Sequence, residues 1–347
     1  MRALPMFRWM LLATLLSFMA TARSAPAQAG RFSVYVTNEM SGDLSVIDGA
    51  TRAVVYHLPL GKRPRGIAST ADGTRLFVAL SGSPVAPPGI DEASLPPPDK
   101  AADGIGVIDV ATRRLLKVIR GVSDPEQLAV SPNGERFYIA SEDTGRAVII
   151  DAANGRVLAS LDVGGEPEGA ALSPDGRTAY FTSESHHSTA VIDTQKQTVL
   201  ASVEVGERPR DVAFSADGKR AYVTGESDAS LTVIDARTHR FVQKIKLAGE
   251  GVRPKGVVVA PDGKRVYVST GRGGTVSVID AQSLTEVTSI RVGARPWGIA
   301  LSPDGRWLYT ANGPSNDVSI VDTVALKTVA TVKVGDRPWG VIAVASP

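Results

Sequence analysis

The chain has 347 residues, with 38 Lys and Arg against 36 Asp and Glu, and it contains no cysteine. So balanced a charge leaves no basic footprint for nucleic acid. The missing thiol excludes disulfides, thiolate metal sites, covalently attached c-type haem and a cysteine nucleophile.

At the amino end Arg2 and Arg8 flank an apolar run from Trp9 to Ala20, and Ala25-Pro26-Ala27 follows. This is the layout of a secretory signal peptide, with a run too short for a permanent span. The expectation is cleavage after Ala27, export to the periplasm and a mature chain of 28–347. Removing Arg2, Arg8 and Arg23 leaves 35 basic against 36 acidic residues. No other run is long and apolar enough to predict a membrane span.

From residue 31 onward one unit recurs. Val46-Ile47-Asp48 returns as Val107-Ile108-Asp109, Ile149-Ile150-Asp151, Val191-Ile192-Asp193, Val233-Ile234-Asp235, Val278-Ile279-Asp280 and Ile320-Val321-Asp322. The aspartates are spaced by 42 residues apart from intervals of 61 and 45, a period that means a solenoid or a propeller. Each unit holds four apolar runs of four to seven residues, rich in Val, Ile, Tyr and Phe and bounded by Gly, Pro or Asp, which reads as four strands. Ser-Pro-Asp-Gly at 173–176 and 302–305, with variants in four other units, predicts tight hairpins in which glycine takes φ > 0. The aspartate closing each Val-Ile-Asp is expected to accept backbone N–H groups of the next turn. The fold predicted is an all-β, seven-bladed β-propeller with four-stranded blades. The chain enters on a second strand at Arg31–Thr37 and leaves on a first strand at Pro338–Ala345, so the two termini share the blade that closes the ring.

Tyr35-Val36-Thr37-Asn38, echoed by Tyr222-Val223-Thr224 and Tyr267-Val268-Ser269, resembles the YVTN family of β-propeller repeats over residues 31–345. The resemblance implies the propeller. Secretion and seven units look most like the subgroup encoded beside pyrroloquinoline-quinone-dependent alcohol oxidation systems.

The loops joining the fourth strand of one unit to the first of the next collect charge: Arg63-Pro64-Arg65, Asp124-Pro125-Glu126, Glu166-Pro167-Glu168, Arg208-Pro209-Arg210, Arg253-Pro254-Lys255, Arg295-Pro296-Trp297 and Arg337-Pro338-Trp339. They are expected to ring the mouth of the central channel. Arg63, Arg208, Arg253, Arg295 and Arg337 then form an anion site, and Trp297 and Trp339 add flat faces suited to a planar polycarboxylate such as pyrroloquinoline quinone. The competing reading pairs these arginines across the channel with Asp124, Glu126, Glu166 and Glu168, both tryptophans merely packing between blades. Glu39, Glu142, Glu184 and Glu226 occupy matching places in the loops between second and third strands, where glutamate is most often solvated or paired with Arg. An acidic, proline-rich insertion at 81–103 carries Asp91, Glu92 and Asp99 and is expected to act as a lid or a partner-docking arm.

Elbow, zincin and phosphate-loop motifs are absent. The sequence therefore predicts a periplasmic, monomeric binding or scaffold protein, not an enzyme. It would hold a small anionic ligand or a periplasmic partner, with no catalytic residue, metal or cofactor, as an accessory to quinone-dependent alcohol oxidation. The alternative is a lactonase-like hydrolase using Arg, Glu and His of the same rim. A haem d1 propeller, with His186 or His187 as axial ligand, is a more distant third.

Overall fold

The computed structural model describes Met1 and residues 31–85 and 94–346. The leader beyond Met1 and the acidic pair Asp91 and Glu92 lie outside the described residues. The described body forms seven four-stranded antiparallel sheets, as expected. Blade 1 places Pro338–Ala345 innermost, then Phe32–Asn38, Asp43–Asp48 and Val54–Pro59. Blades 2 to 7 follow in chain order over 64–119, 125–162, 167–204, 209–246, 257–291 and 296–333. The ring closes through the ladder from Phe32↔Ala345 to Val36↔Val341, so blade 1 unites the two ends of the propeller body.

The motif residues explain themselves. Tyr35, Tyr138, Tyr180, Tyr222, Tyr267 and Tyr309 are buried in the second strands, and the Val-Ile pairs of the third strands face them from within the same cores. Asp48 Oδ1 accepts the backbone N–H of Ala50 at 3.0 Å and of Thr51 at 2.7 Å, and these bonds hold its carboxyl below the usual range. Gly176 and Gly305 close their hairpins at φ 69°.

What joins one blade to the next lies at the inner strands. Two residues after the Tyr of the motif, Thr37, Thr182, Thr224 and Ser269 are wholly buried. Thr37 Oγ1 accepts the N–H of Gly340 in its own blade at 2.8 Å and donates to the Arg65 carbonyl of blade 2 at 2.7 Å. Thr224 does the same between Asp211 N and Lys255 O, and Ser269 between Gly256 N and Trp297 O. Each hydroxyl thus satisfies a buried N–H and a buried carbonyl of two blades at once.

The carbonyls come this close because glycine faces them. Gly66, Gly169, Gly256, Gly298 and Gly340 hold one equivalent position, and a Cβ there would stand 2.4 to 2.7 Å from the next blade's carbonyl oxygen. Blades 3 and 5 carry Gln127 and Asp211 instead. Gly298→Ala and Gly340→Ala should each cost about 1–3 kcal/mol, the usual penalty for overpacking. Gln127→Ala, where a Cβ is already accommodated, should cost less. Denaturant melts of the three variants decide this, and unchanged midpoints for both glycine variants would refute it.

Candidate active site

Each inner strand but that of blade 6 opens with a bulge at its proline. In blade 2, Pro64 pairs with Leu80 and Ile67 with Val78, so one residue is extra and the ladder slips. The slip turns the residue after the proline toward the axis. The residue before it is forced into the left-handed region: Arg63 at φ 38°, Asp124 at 41°, Glu166 at 52°, Arg208 at 54°, Arg295 at 51° and Arg337 at 55°. Such backbone costs of the order of 1–3 kcal/mol per residue and concentrates at functional rims. Its carbonyl is held by the loop between second and third strands, as in Glu142 N to Asp124 O at 3.1 Å and Glu226 N to Arg208 O at 3.1 Å. This bond also sets each loop glutamate beside the charged strand start.

Two guanidinium groups organise the resulting network. Arg65 contacts Glu126 closely and lies 3.5 Å from Glu39, 3.6 Å from Asp124 and 3.5 Å from Glu142. Arg210 contacts Glu168 closely, Glu184 at 2.7 Å and Glu226 at 2.5 Å. Lys255 reaches Glu226 at 2.7 Å and stands 4.1 Å over the Trp297 ring. Asp124, Glu126 and Glu142 bring oxygens within 4.8 Å of one another, a spacing that could hold a metal ion, but the Arg65 guanidinium already supplies the cation there.

The sequence-predicted arginines are placed around this core. Arg63 donates to Glu39 at 2.9 Å and to the Ser83 carbonyl at 2.7 Å. Arg337 lies 3.6 Å from the same Glu39, Arg208 pairs with Glu184, and Arg295 stacks 5.6 Å from Trp297. Arg253 has no ion pair among the described residues. Trp297 and Trp339 meet at 5.7 Å with planes tilted by 42°. The inner set of Arg65, Arg210, Lys255 and Asp211 was not singled out from sequence. The bulge that turns Arg65 and Arg210 inward has one signal, the residue after each proline. Asp99 of the insertion pairs with Lys62 at 2.7 Å, and Asp103 accepts the N–H groups of Gly82 and Asp124 at 2.7 and 3.1 Å, so the base of the arm is stitched to the rim.

Burial and charge split the acids into two groups. Burial opposes ionisation of Glu226, but Arg210 and Lys255 overcome it and hold its carboxyl at about 2. Glu39 is likewise held below its ordinary value by Arg65, Arg63 and Arg337 in spite of burial. Burial and the neighbouring Glu168 push Glu142 up to about 8 and Glu184 up to about 7, against Arg65 and Arg210 respectively. Burial, then Arg210, depresses the Lys255 ammonium to about 7. Burial lifts Asp211 to about 6 although it accepts the Val212 and Val257 N–H groups.

Below this network Lys255, Arg210, Asp211, Glu168, Trp297 and Trp339 line a cavity of about 60 Å³. At roughly 10–15 Å³ per water, it holds a few water-sized groups and not a tricyclic quinone. The histidines stand apart. His187 accepts the Arg208 N–H at 3.2 Å, His186 packs on Gly164, His57 lies by Asp43 at 3.2 Å and His239 meets Tyr180 Oη at 2.9 Å.

The chain belongs to the YNCE-like beta-propeller family, whose model matches residues 89–346. No curated protein sequence matches it. Similar solved structures include the periplasmic gluconolactonase PpgL of Pseudomonas aeruginosa, 21% identical with a TM-score of 0.72, covering 91% of this chain and 100% of that one. Hydrazine synthase of Kuenenia stuttgartiensis is 22% identical at a TM-score of 0.68, covering 80% and 89%. The dihydro-heme d1 dehydrogenase NirN is 16% identical at 0.65, covering 92% and 76%. At these identities the likeness carries the fold. It also corrects one expectation. These three propellers are enzymes by title, so the reading as a non-catalytic binding or scaffold protein does not stand, and the hydrolase alternative fits them better.

The raised carboxylates carry a signed consequence. Glu142 and Glu184 have an ordinary value of 4.5 but titrate at about 8 and about 7 in the fold, so the folded state binds more protons across that window. Their contribution to stability is fully present below 4.5 and is lost as pH rises through the folded values. Glu142→Gln, which cannot ionise, should therefore raise Tm over the unsubstituted protein at about pH 8.5 and change it little at about pH 5. Thermal melts across the range check this, and a difference independent of pH would count against it.

Proposed function

We propose that the chain is a lactone hydrolase whose proton-transfer groups are Glu184 and Glu142. What supports the reading is one arrangement: two rim carboxylates displaced to different values near neutrality, each against a buried guanidinium. Pairs of titratable groups driven apart by their surroundings divide into base and acid. Glu184, ionised first, takes a proton from water as its oxygen attacks the lactone carbonyl carbon. Arg65 and Arg210 stand where the carbonyl oxygen gains charge. Arg65 contacts Glu126 closely, and its three further contacts at 3.5–3.6 Å are long enough for the remaining N–H groups to turn to an oxyanion. Glu142, protonated at neutral pH, gives its proton to the ring oxygen as the C–O bond breaks. No histidine takes part.

A second reading, the haem d1 propeller, lacks support from the axis, since none of the described histidines lines the cavity. The finer resemblance, to the subgroup beside pyrroloquinoline-quinone-dependent oxidation, enters here as a proposal of setting only. Oxidation of a cyclic hemiacetal yields a lactone, and a hydrolase would consume it. We also propose export to the periplasm after cleavage of residues 1–27. Mass spectrometry of protein from its host should find an amino terminus near residue 28, and a retained Met1 would overturn this.

Titration of acid released from gluconolactone, with and without a 6-phosphate, tests the activity. The rate should exceed spontaneous hydrolysis, with kcat/KM rising as Glu184 ionises and falling as Glu142 does. Glu184→Gln and Glu142→Gln should each lower kcat by about 10²–10⁴-fold, the usual reach of general acid–base catalysis. His186→Ala and His187→Ala should leave it unchanged. A rate equal to the buffer blank with every lactone, or one indifferent to both glutamine variants, would dispose of the hydrolase.

A further inference from the structure

The hydrolase uses the carboxylates at the mouth and leaves unexplained what lies beneath them. Lys255 is 4% exposed and Trp339 is 7% exposed, and both line the axial cavity. The Trp339 Nε1–H is buried with no hydrogen-bond partner in the described structure. Buried donors are nearly always satisfied, so an orphan on a side chain that lines a cavity calls for an oxygen acceptor from outside. The neighbouring donors do not compete for it, because Arg210 is taken by Glu168, Glu184 and Glu226, and Lys255 by Glu226. Three glutamates around Arg210, with Asp211 close by, make the cavity a poor host for an anion. A neutral oxygen suits it better.

The amine beside that donor is unusual in its setting. Its Nζ is fixed at 2.7 Å from Glu226 Oε2 and lies 4.1 Å over the face of Trp297. The charged groups facing it are Arg210 of the inner strand of blade 5, Glu226 of that blade's loop and Glu168 of the inner strand of blade 4. Asp211 lines the same cavity. Blade 7 presents only the tryptophan. Burial and Arg210 together lower the cost of losing the ammonium proton, so the free amine is available near neutral pH.

We propose that Lys255 is the nucleophile of a carbonyl-binding site: a small neutral aldehyde or ketone enters the axial cavity, its oxygen accepts the Trp339 N–H, and the Lys255 amine closes on its carbon to form an imine. The nitrogen lone pair makes the C–N bond while the C=O pair moves to oxygen, which takes a proton released by nitrogen. The hydroxyl then leaves as water with a second proton, and the nitrogen lone pair forms C=N. No oxidant or further reactant is needed. A cavity of about 60 Å³ limits the carbonyl compound to a few heavy atoms.

Reductive trapping tests this on the full-length chain. Acetaldehyde with cyanoborohydride at neutral pH, followed by peptide mass mapping, should label Lys255 at least tenfold faster than the exposed Lys219 and Lys264. Labelling at Lys255 should fall as pH drops below about 7. Trp339→Phe, which keeps a ring and removes the donor, should slow Lys255 labelling several-fold and leave the surface lysines unchanged. Lys255→Arg should abolish the fast site alone. Because the map of the unsubstituted protein is itself decisive, a variant that fails to fold does not shelter the idea. Label that follows exposure, reaching Lys219 and Lys264 first, or a Lys255 rate unmoved by Trp339→Phe, would overturn it. Either failure leaves the hydrolase reading intact, since Glu142 and Glu184 take no part.

Discussion

Close approach of neighbouring inner strands is the constraint from which the rest follows. In five of the seven blades a glycine presents no side chain to the next at the point of contact, while blades 3 and 5 accommodate Gln127 and Asp211 there. Where strands come so close, their carbonyls and N–H groups leave water and need partners. Thr37, Thr182, Thr224 and Ser269 supply them, each hydroxyl accepting from its own blade and facing a carbonyl of the next. The threonine of the repeat motif is therefore an inter-blade coupling, and one lost hydroxyl would orphan a donor and an acceptor together.

The same convergence forces charge burial. The residue after each proline points to the axis, and in five blades it is Arg, Glu or Lys. Ions so enclosed are costly unless paired, and leaving one partner alone is costlier still. The ring solves this by setting opposite signs against each other at the mouth, Arg65 facing Glu126 and Arg210 facing Glu168 and Glu184. The solution is incomplete on one side. Glu142 and Glu184 share their arginines with stronger claimants and crowd Glu168, so they retain protons that Glu39 and Glu226 lose. Reactivity at the rim is a residue of imperfect neutralisation in a dry, narrow place.

The propeller was legible because its signals are local. Val-Ile-Asp fixes a third strand and its turn, Ser-Pro-Asp-Gly fixes a hairpin, and the unmatched strands at Arg31 and Pro338 fix the closure. The site was legible only in outline. Arg63 and Arg65 stand two apart, so strand alternation gives them one face and makes them equivalent. A single-residue bulge separates them, sending Arg65 inward and leaving Arg63 strained at φ 38°, and bulges of this kind are set by packing against the next blade. The glutamate pairings were open for the same reason, because Glu39 meets Arg63 and Arg65 across a blade boundary. Lys255 and Asp211 looked like two more polar rim residues.

Departures from the repeat gather at one boundary. Blade 5 places Asp211 where five other blades have glycine, and its carboxylate reaches across to accept the Val257 N–H of blade 6 at 3.0 Å. Blade 6 answers with the shortest inner strand, Val257–Val259, as Lys255 N turns to Ser269 O at 2.8 Å. Its second-to-third loop carries Gly271 where four other blades have glutamate, so Lys255 must look back to Glu226 of blade 5 for a counter-charge. Each change departs from what most other units keep. The small axial cavity beside them gathers a buried amine, the raised carboxyl of Asp211 and the unpartnered indole N–H of blade 1. A local cost without a local return is what a site requires of its scaffold, and in this ring that cost is confined to the boundary where the cavity opens.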